Sequence, residues 1–145
     1  MPSRPRQPEA VLKAQVRLAL GLELDLALWV NARHDSKEWD PNTGGVRFAV
    51  GGLLAPGSSD LIGLLAPTGR FVALEVKVPG GIPSAARLAR IAAKPDHERS
   101  KGEQRDHEQA TFLAIVRRLG GFGSYVDSVP AALAALERAR RGEAA

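Results

Sequence analysis

The sequence has no cysteine, one methionine and one tyrosine among its 145 residues, and aromatic side chains make up only 5% of it. Without thiols there is no disulfide scaffold, thiolate zinc site, iron–sulfur cluster or cysteine nucleophile. With so few aromatics, base stacking is a poor main mode for holding nucleic acid. No apolar run approaches the roughly 18–20 residues that a bilayer requires. Residues 1–8 carry Arg4, Arg6 and three prolines where a secretory leader would have an apolar core. The expectation is therefore a cytoplasmic protein without a membrane partner. The glycine pairs at 44–45, 51–52 and 120–121 lack a following Gly-Lys-Ser/Thr, so they read as turns and not as a phosphate loop. His107 and Glu108 are not followed by a second histidine at the spacing of a zinc helix, and both Asp-His-Glu tripeptides read as a solvated polar face.

What is present is an ordinary folded composition, 44% hydrophobic and 25% charged. The length suits one domain with its own core. Twenty basic against 16 acidic residues leave a net charge of +4, and the pI is near 10.0. That balance favours an anionic partner, nucleic acid first.

Helical spacing predicts a first helix over 9–20, with Leu12, Val16, Ala19 and Leu20 inward and Lys13 and Arg17 on the other side. A strand is expected over 26–32, a loop over 33–43 and a strand over 46–50. Residues 60–65 and 70–77 read as a hairpin joined by Ala66-Pro67-Thr68-Gly69, with proline and glycine placed as in a type I turn. The segment 79–104 reads as a basic inserted loop with a short helix over 84–93. Helical spacing returns over 106–119, followed by a strand over 122–126 and a helix over 130–141. The fold class expected is α/β, a mixed sheet flanked by helices, in the order α-β-β-β-α-β-α. Residues 1–8 form an N-terminal arm, 9–141 the single domain, and 142–145 a tail.

The turn fixes the hairpin register. Leu65 opposes Arg70, so Asp60 lies across from Glu75, at the roughly 4.5–5.5 Å separation where like charges repel. Lys77 lies two residues beyond Glu75 and shares its face. Both faces of the hairpin are otherwise apolar, which predicts a sheet covered on both sides. Charges at its mouth are costly unless paired or bound to a metal, and a hard divalent cation suits carboxylate oxygens. The bland alternative is a cross-strand salt-bridge cluster. Glu9 and Gln109 are polar residues on the apolar stripes of their helices, each placed to point from a helix end toward the same mouth. Glu9 reads equally as a solvated acid at a helix N-terminus, and Gln109 as a plain helix-start residue.

Ser59-Asp60 followed by Glu75-Val76-Lys77 resembles the bipartite signature of the PD-(D/E)XK nucleases. The tighter resemblance is to their VRR-NUC branch, through Gly57 to Gly63 (GSSDLIG), the strand 71–77 (FVALEVK), the Gln109-x-x-Phe112-Leu113 helix and Gly120-Gly121. These blocks fall in order across about residues 9–130. Ser59 stands where the family has proline, and the segment between Lys77 and Gln109 is longer than in compact members. The resemblance implies a restriction-endonuclease-like core and a divalent-metal-dependent endonuclease. Asp60 and Glu75 would hold Mg2+, or Mn2+ in its place, with the Val76 carbonyl as a further ligand and Glu9 as the first-helix acid. Lys77 would orient or help deprotonate the attacking water, or stabilise charge on the phosphate, with Gln109 supporting it. It further implies branched DNA such as Holliday junctions as substrate, a homodimer, and a phage or mobile-element setting.

The basic residues Arg87, Arg90, Lys94, Arg99 and Lys101 suit a phosphate backbone and equally a solvated surface. DNA would be read mainly through its backbone. The alternatives are a DNA-binding module that kept the fold without catalysis, and a repair or restriction nuclease without junction preference.

Overall fold

In the computed structural model, which describes residues 8–31, 34–40, 44–51 and 57–145, the chain begins with helix α1 (Glu9–Gly21), whose buried stripe is Leu12, Val16 and Leu20. Those three recur at four-residue intervals, the spacing that keeps one helix face inward. Strand β1 (Leu26–Val30) follows, then β2 (His34–Asp40) and β3 (Gly45–Gly51). The sequence reading of 33–43 as loop is corrected here, because His34 to Asp40 pair antiparallel with Gly45 to Gly51 in a separate two-stranded ribbon. The polar stretch HDSKEWD carries no run of apolar residues and pairs through its backbone with β3. The N-terminal arm through residue 7 and positions 41–43 lie outside the described residues.

The hairpin β4 (Leu61–Leu65) and β5 (Arg70–Val76) has the expected register, with Leu65 opposite Arg70 and Leu61 opposite Leu74. Together with β1 and β6 (Phe122–Val126) it forms a four-stranded sheet in the order β1-β4-β5-β6. The first two pairings are antiparallel and β5–β6 is parallel, so the sheet is mixed. A parallel pair needs a crossover, and here it is built from α2 (Ala85–Ala93), a single 3-10 turn at Asp96–Glu98 and α3 (Lys101–Arg118). Helix α4 (Val129–Arg140) closes the chain.

The sheet alternates its side chains between two cores, as the pleat requires. Leu61, Leu65, Val72, Leu74, Val76, Phe122 and Val126 meet α1 and α4 on one face. Ala73, Leu113 and Val116 meet on the other, with Phe71, Phe112 and Tyr125 packed around them. The sheet is thus covered on both sides, as the apolar hairpin faces require. The architecture is α/β, a mixed sheet flanked by helices, with β2 the strand added to those expected. Residue 144 belongs to it too, since the Ala144 carbonyl accepts from Gly123 N–H at 3.0 Å on the free edge of β6.

The short helix expected within 79–104 is α2, while part of the remainder read as loop is instead the 3-10 turn and the start of α3. Ser84 caps α2 by accepting from Arg87 N–H. Ser100 and Glu103 cap α3 reciprocally, each side chain accepting from the other's backbone N–H. Arg87 pairs with Asp106 at 3.1 Å and Lys94 with Glu103 at 3.0 Å, joining α2 to α3. The Ser100 amide, then Lys94, pull the Glu103 carboxyl down to about 2. Arg99 is only 5% exposed at its side chain. It donates to the carbonyls of Ile91 and Ala92, to Asp96 and to Gln104. It closes the C-terminal end of α2, where unsatisfied carbonyls need donors. Three of the five basic residues proposed for DNA therefore serve the α2–α3 junction, and Arg90 and Lys101 stand exposed.

Replacing Arg99 with alanine should cost about 2 kcal/mol of stability, the scale of charged hydrogen bonds lost from partly buried partners. Arg90→Ala should stay within about 0.5 kcal/mol of wild type, as surface changes do. Chemical denaturation of the two variants checks both.

Candidate functional site

Beyond the last ladder pair of the hairpin, Asp60 and Glu75 meet at the carboxyl end of β5. In open α/β sheets, that end of the strands is where ligands bind. Two groups fix the approach to Asp60. Gly57 has φ +85°, and a Cβ there would lie 2.6 Å from the Glu108 Cβ and backbone carbon, so glycine lets the turn rest on α3 one residue before Gln109. Asn31, at the end of β1, donates from its side chain to Ser58 Oγ and to the Ser59 carbonyl. Its backbone N–H donates to the Asp60 carbonyl at 2.9 Å. Ser59 is wholly buried.

Asp60 is bound through all its polar atoms. Its Oδ2 accepts from Val76 N–H at 2.9 Å, and its own N–H donates to Glu75 Oε2 at 3.3 Å. Its Oδ1 meets Lys13 Nζ at 2.7 Å. Glu75 is only 2% exposed, and its Oε1 accepts from Gln109 Nε2 at 2.8 Å. The other end of the same amide, Gln109 Oε1, accepts from Lys77 Nζ at 2.8 Å. Gln109 therefore stands between the acid and the amine, and each end of its amide matches its neighbour.

Electrostatics follow from this packing. Burial first, then the charge of Asp60 and a hydrogen bond with it, push the Glu75 carboxyl from about 4.5 up to about 8. Lys77 and Lys13 pull the other way and do not overcome it. Burial works against the Lys13 ammonium, but the hydrogen bond and charge of Asp60, with Glu9 and Glu75 behind, raise it above the ordinary lysine value. Tyr125 is the β6 residue in register with Glu75. Its hydroxyl is pushed up to about 12 by burial, then by Glu75 and Asp106, and it has no hydrogen-bond partner among the described residues.

Of the site residues read from sequence, Asp60, Glu75, Val76, Lys77 and Gln109 come together. Glu9 does not join them directly. Its side chain is 45% exposed and reaches the group only through Lys13, 4.0 Å away. Sequence reasoning put Lys13 on the outer side of α1 and missed it. It lies next to Leu12 in sequence, at the border of the buried stripe, and four residues after an acid, which was the available signal. Asn31 was missed because its role depends on β1 pairing with β4, and Tyr125 because it depends on the parallel pairing of β6.

Among the described residues no three acids or histidines gather closely enough to hold an ion between them. The donors present still fit a hard divalent cation. Mg2+ commonly takes one or two carboxylates and keeps its remaining positions for water and substrate oxygens. Asp60 and Glu75 supply the carboxylates. A strand residue's N–H and C=O face the same neighbour, so the Val76 carbonyl lies on the edge where its N–H meets Asp60. A cation would also offset the burial and the repulsion that raise Glu75. Comparisons with family models, with curated proteins and with solved structures return no match.

Glu75 makes the metal-free protein sensitive to pH. The folded state keeps a proton that the unfolded chain releases above about 4.5, so this contribution is full at low pH and is lost as pH rises toward about 8. In EDTA, urea denaturation should show lower stability at pH 8.5 than at pH 5.5, and Glu75→Gln should flatten most of that difference. An equal pH dependence in both proteins would refute the buried, protonated acid.

Proposed function

We propose that the protein is a divalent-metal-dependent deoxyribonuclease with a restriction-endonuclease-like core of the VRR-NUC type. The observation that carries this reading is the buried Glu75 carboxylate set against Asp60, with Lys77 held beside it through Gln109. Asp60 meets Lys13 directly, as in a salt bridge built for stability, but between Glu75 and Lys77 an amide intervenes and leaves both available to other partners.

Asp60, Glu75 and the Val76 carbonyl would hold Mg2+ or Mn2+, which supplies an acidified water and charge neutralisation at the phosphoryl oxygens. Lys77 has one N–H engaged by Gln109, and an ammonium has three. The remaining two aim at the attacking water or at a phosphate oxygen on which charge builds. Gln109 fixes where that ammonium sits, since it accepts from Lys77 while donating to Glu75. Asn31 and Gly57 hold the turn that presents Asp60. The net charge of +4 favours approach of a polyanion, and the few aromatics favour contact with its backbone over its bases. Branched DNA as the preferred substrate, and a homodimer that makes paired incisions, follow from the family resemblance and belong to this same proposal.

Labelled junction, flap, single-stranded and linear duplex DNA, incubated with Mg2+, Mn2+ or EDTA, test the reading together. Cleavage should require metal and be strongest on the junction. Asp60→Ala, Glu75→Ala and Lys77→Ala should each lower the rate by about 10²-fold or more, the scale of a lost charge-stabilising group. Gln109→Leu should reduce it less while leaving metal binding in place. If no substrate is cut with either metal, the enzyme reading fails. Equal cutting of linear and branched DNA removes the junction preference alone.

A further inference from the structure

Asp60 already has a cation, and it comes from α1. Lys13 Nζ lies 2.7 Å from Asp60 Oδ1, with Glu9 Oε1 4.0 Å away on the other side. Its side chain is 39% exposed, so only its head is committed to the carboxylate. It borders a cavity of about 400 Å³ between α1 and β1, lined by Arg17, Asn31 and Asp60 among others. Arg17 follows Lys13 by four residues on the same helix face. The cavity opens directly on the carboxylate that would carry the metal.

We propose that Lys13 and a divalent cation are alternative counter-ions of Asp60, and that loading the cation releases the Lys13 ammonium to hold, with Arg17, a phosphate of the nucleic-acid backbone in this cavity. The inference rests on the metal-dependent reading above. An ammonium in contact with Asp60 Oδ1 and a doubly charged ion on the same carboxylate repel each other strongly at such distances. The one with the exposed, flexible stem moves. Without the cation, Asp60 cancels the charge of Lys13 and the cavity has little attraction for an anion. With it, Asp60 is satisfied and both α1 cations face the cavity. Phosphate and metal then support each other's binding by the same factor, as linkage requires. The exchange also keeps the carboxylate pair compensated at every stage, so neither acid is left buried without a partner.

Two binding measurements test this without reference to cleavage. Calorimetric titration with Mn2+ alone should show tighter binding to Lys13→Gln than to wild type, within the about 5- to 150-fold range of coupled sites. Lys13→Arg should stay near wild type, and Lys13→Met gives a second neutral variant that keeps the packing of the stem. Fluorescence anisotropy with a short labelled duplex should show wild-type affinity rising when Ca2+ replaces EDTA. In Lys13→Gln that gain should shrink while affinity in EDTA changes little, and Arg17→Gln should weaken binding most in Ca2+. Mn2+ affinity unchanged in both neutral variants overturns the exchange, as does an equal loss of DNA affinity with and without Ca2+. If wild type and Lys13→Gln both bind no Mn2+, the metal-dependent reading itself falls, and the inference with it.

Discussion

Two carboxylates at the end of one hairpin repel, and burying one of them removes the water that would screen the repulsion. Glu75 is in that position beside Asp60, and much of the surrounding structure is compensation for it. Each oxygen of Glu75 accepts a hydrogen bond, one from the Asp60 amide and one from Gln109. Asp60 takes the Val76 amide on one oxygen and an ammonium on the other. What remains is a carboxyl that burial and its acidic neighbour keep protonated up to about pH 8, and this distinguishes the arrangement from a surface ion pair.

The rest of the fold explains how such a place can exist in a chain of this length. A mixed sheet covered by α1 and α4 on one face and α3 on the other buries most of the hairpin and leaves the acids at one of its ends. The apolar residues of β4 and β5 fill two separate cores, so the hairpin is held from both sides and its end cannot relax away from the acids. Asn31 and Gly57 then fix the turn before β4 against β1 and α3. The site draws on α1, β1, the hairpin, α3 and, through Tyr125, β6.

The parts legible in the sequence were those set by local chemistry. The Ala66–Gly69 turn determines the hairpin register, and register determines that Asp60 and Glu75 meet and that Lys77 shares the face of Glu75. The apolar stripe of α1 was equally readable. The parts that were not legible depend on partners distant in sequence. A polar strand such as 34–40 gives no hydrophobic signal, and its pairing with β3 cannot be inferred from composition. Counting the charges of 79–104 does not distinguish basic residues that face solvent from Arg87 and Lys94, which face Asp106 and Glu103. The reciprocal cap of Ser100 and Glu103 was visible as Ser-x-x-Glu, and it would have moved the start of α3 from 106 back to 101. Lys13 was misplaced because a border residue of a helical stripe can turn either way, and only the position of Asp60 decides which.

The amide of Gln109 sits between a protonatable acid and an amine, and it matters for what it does not conduct. A carboxylate, imidazole or water in that place would pass a proton from one neighbour to the other. A side-chain amide has no accessible protonation state near neutral pH, and turning it over would set its N–H donors against the ammonium of Lys77 and its oxygen against the carboxylate of Glu75. It acts as an insulator with fixed polarity. The proton stored on Glu75 and those on Lys77 are therefore separate inventories, exchanged through solvent or substrate and not with each other. Whatever chemistry occurs at the mouth of the hairpin can use one without discharging the other.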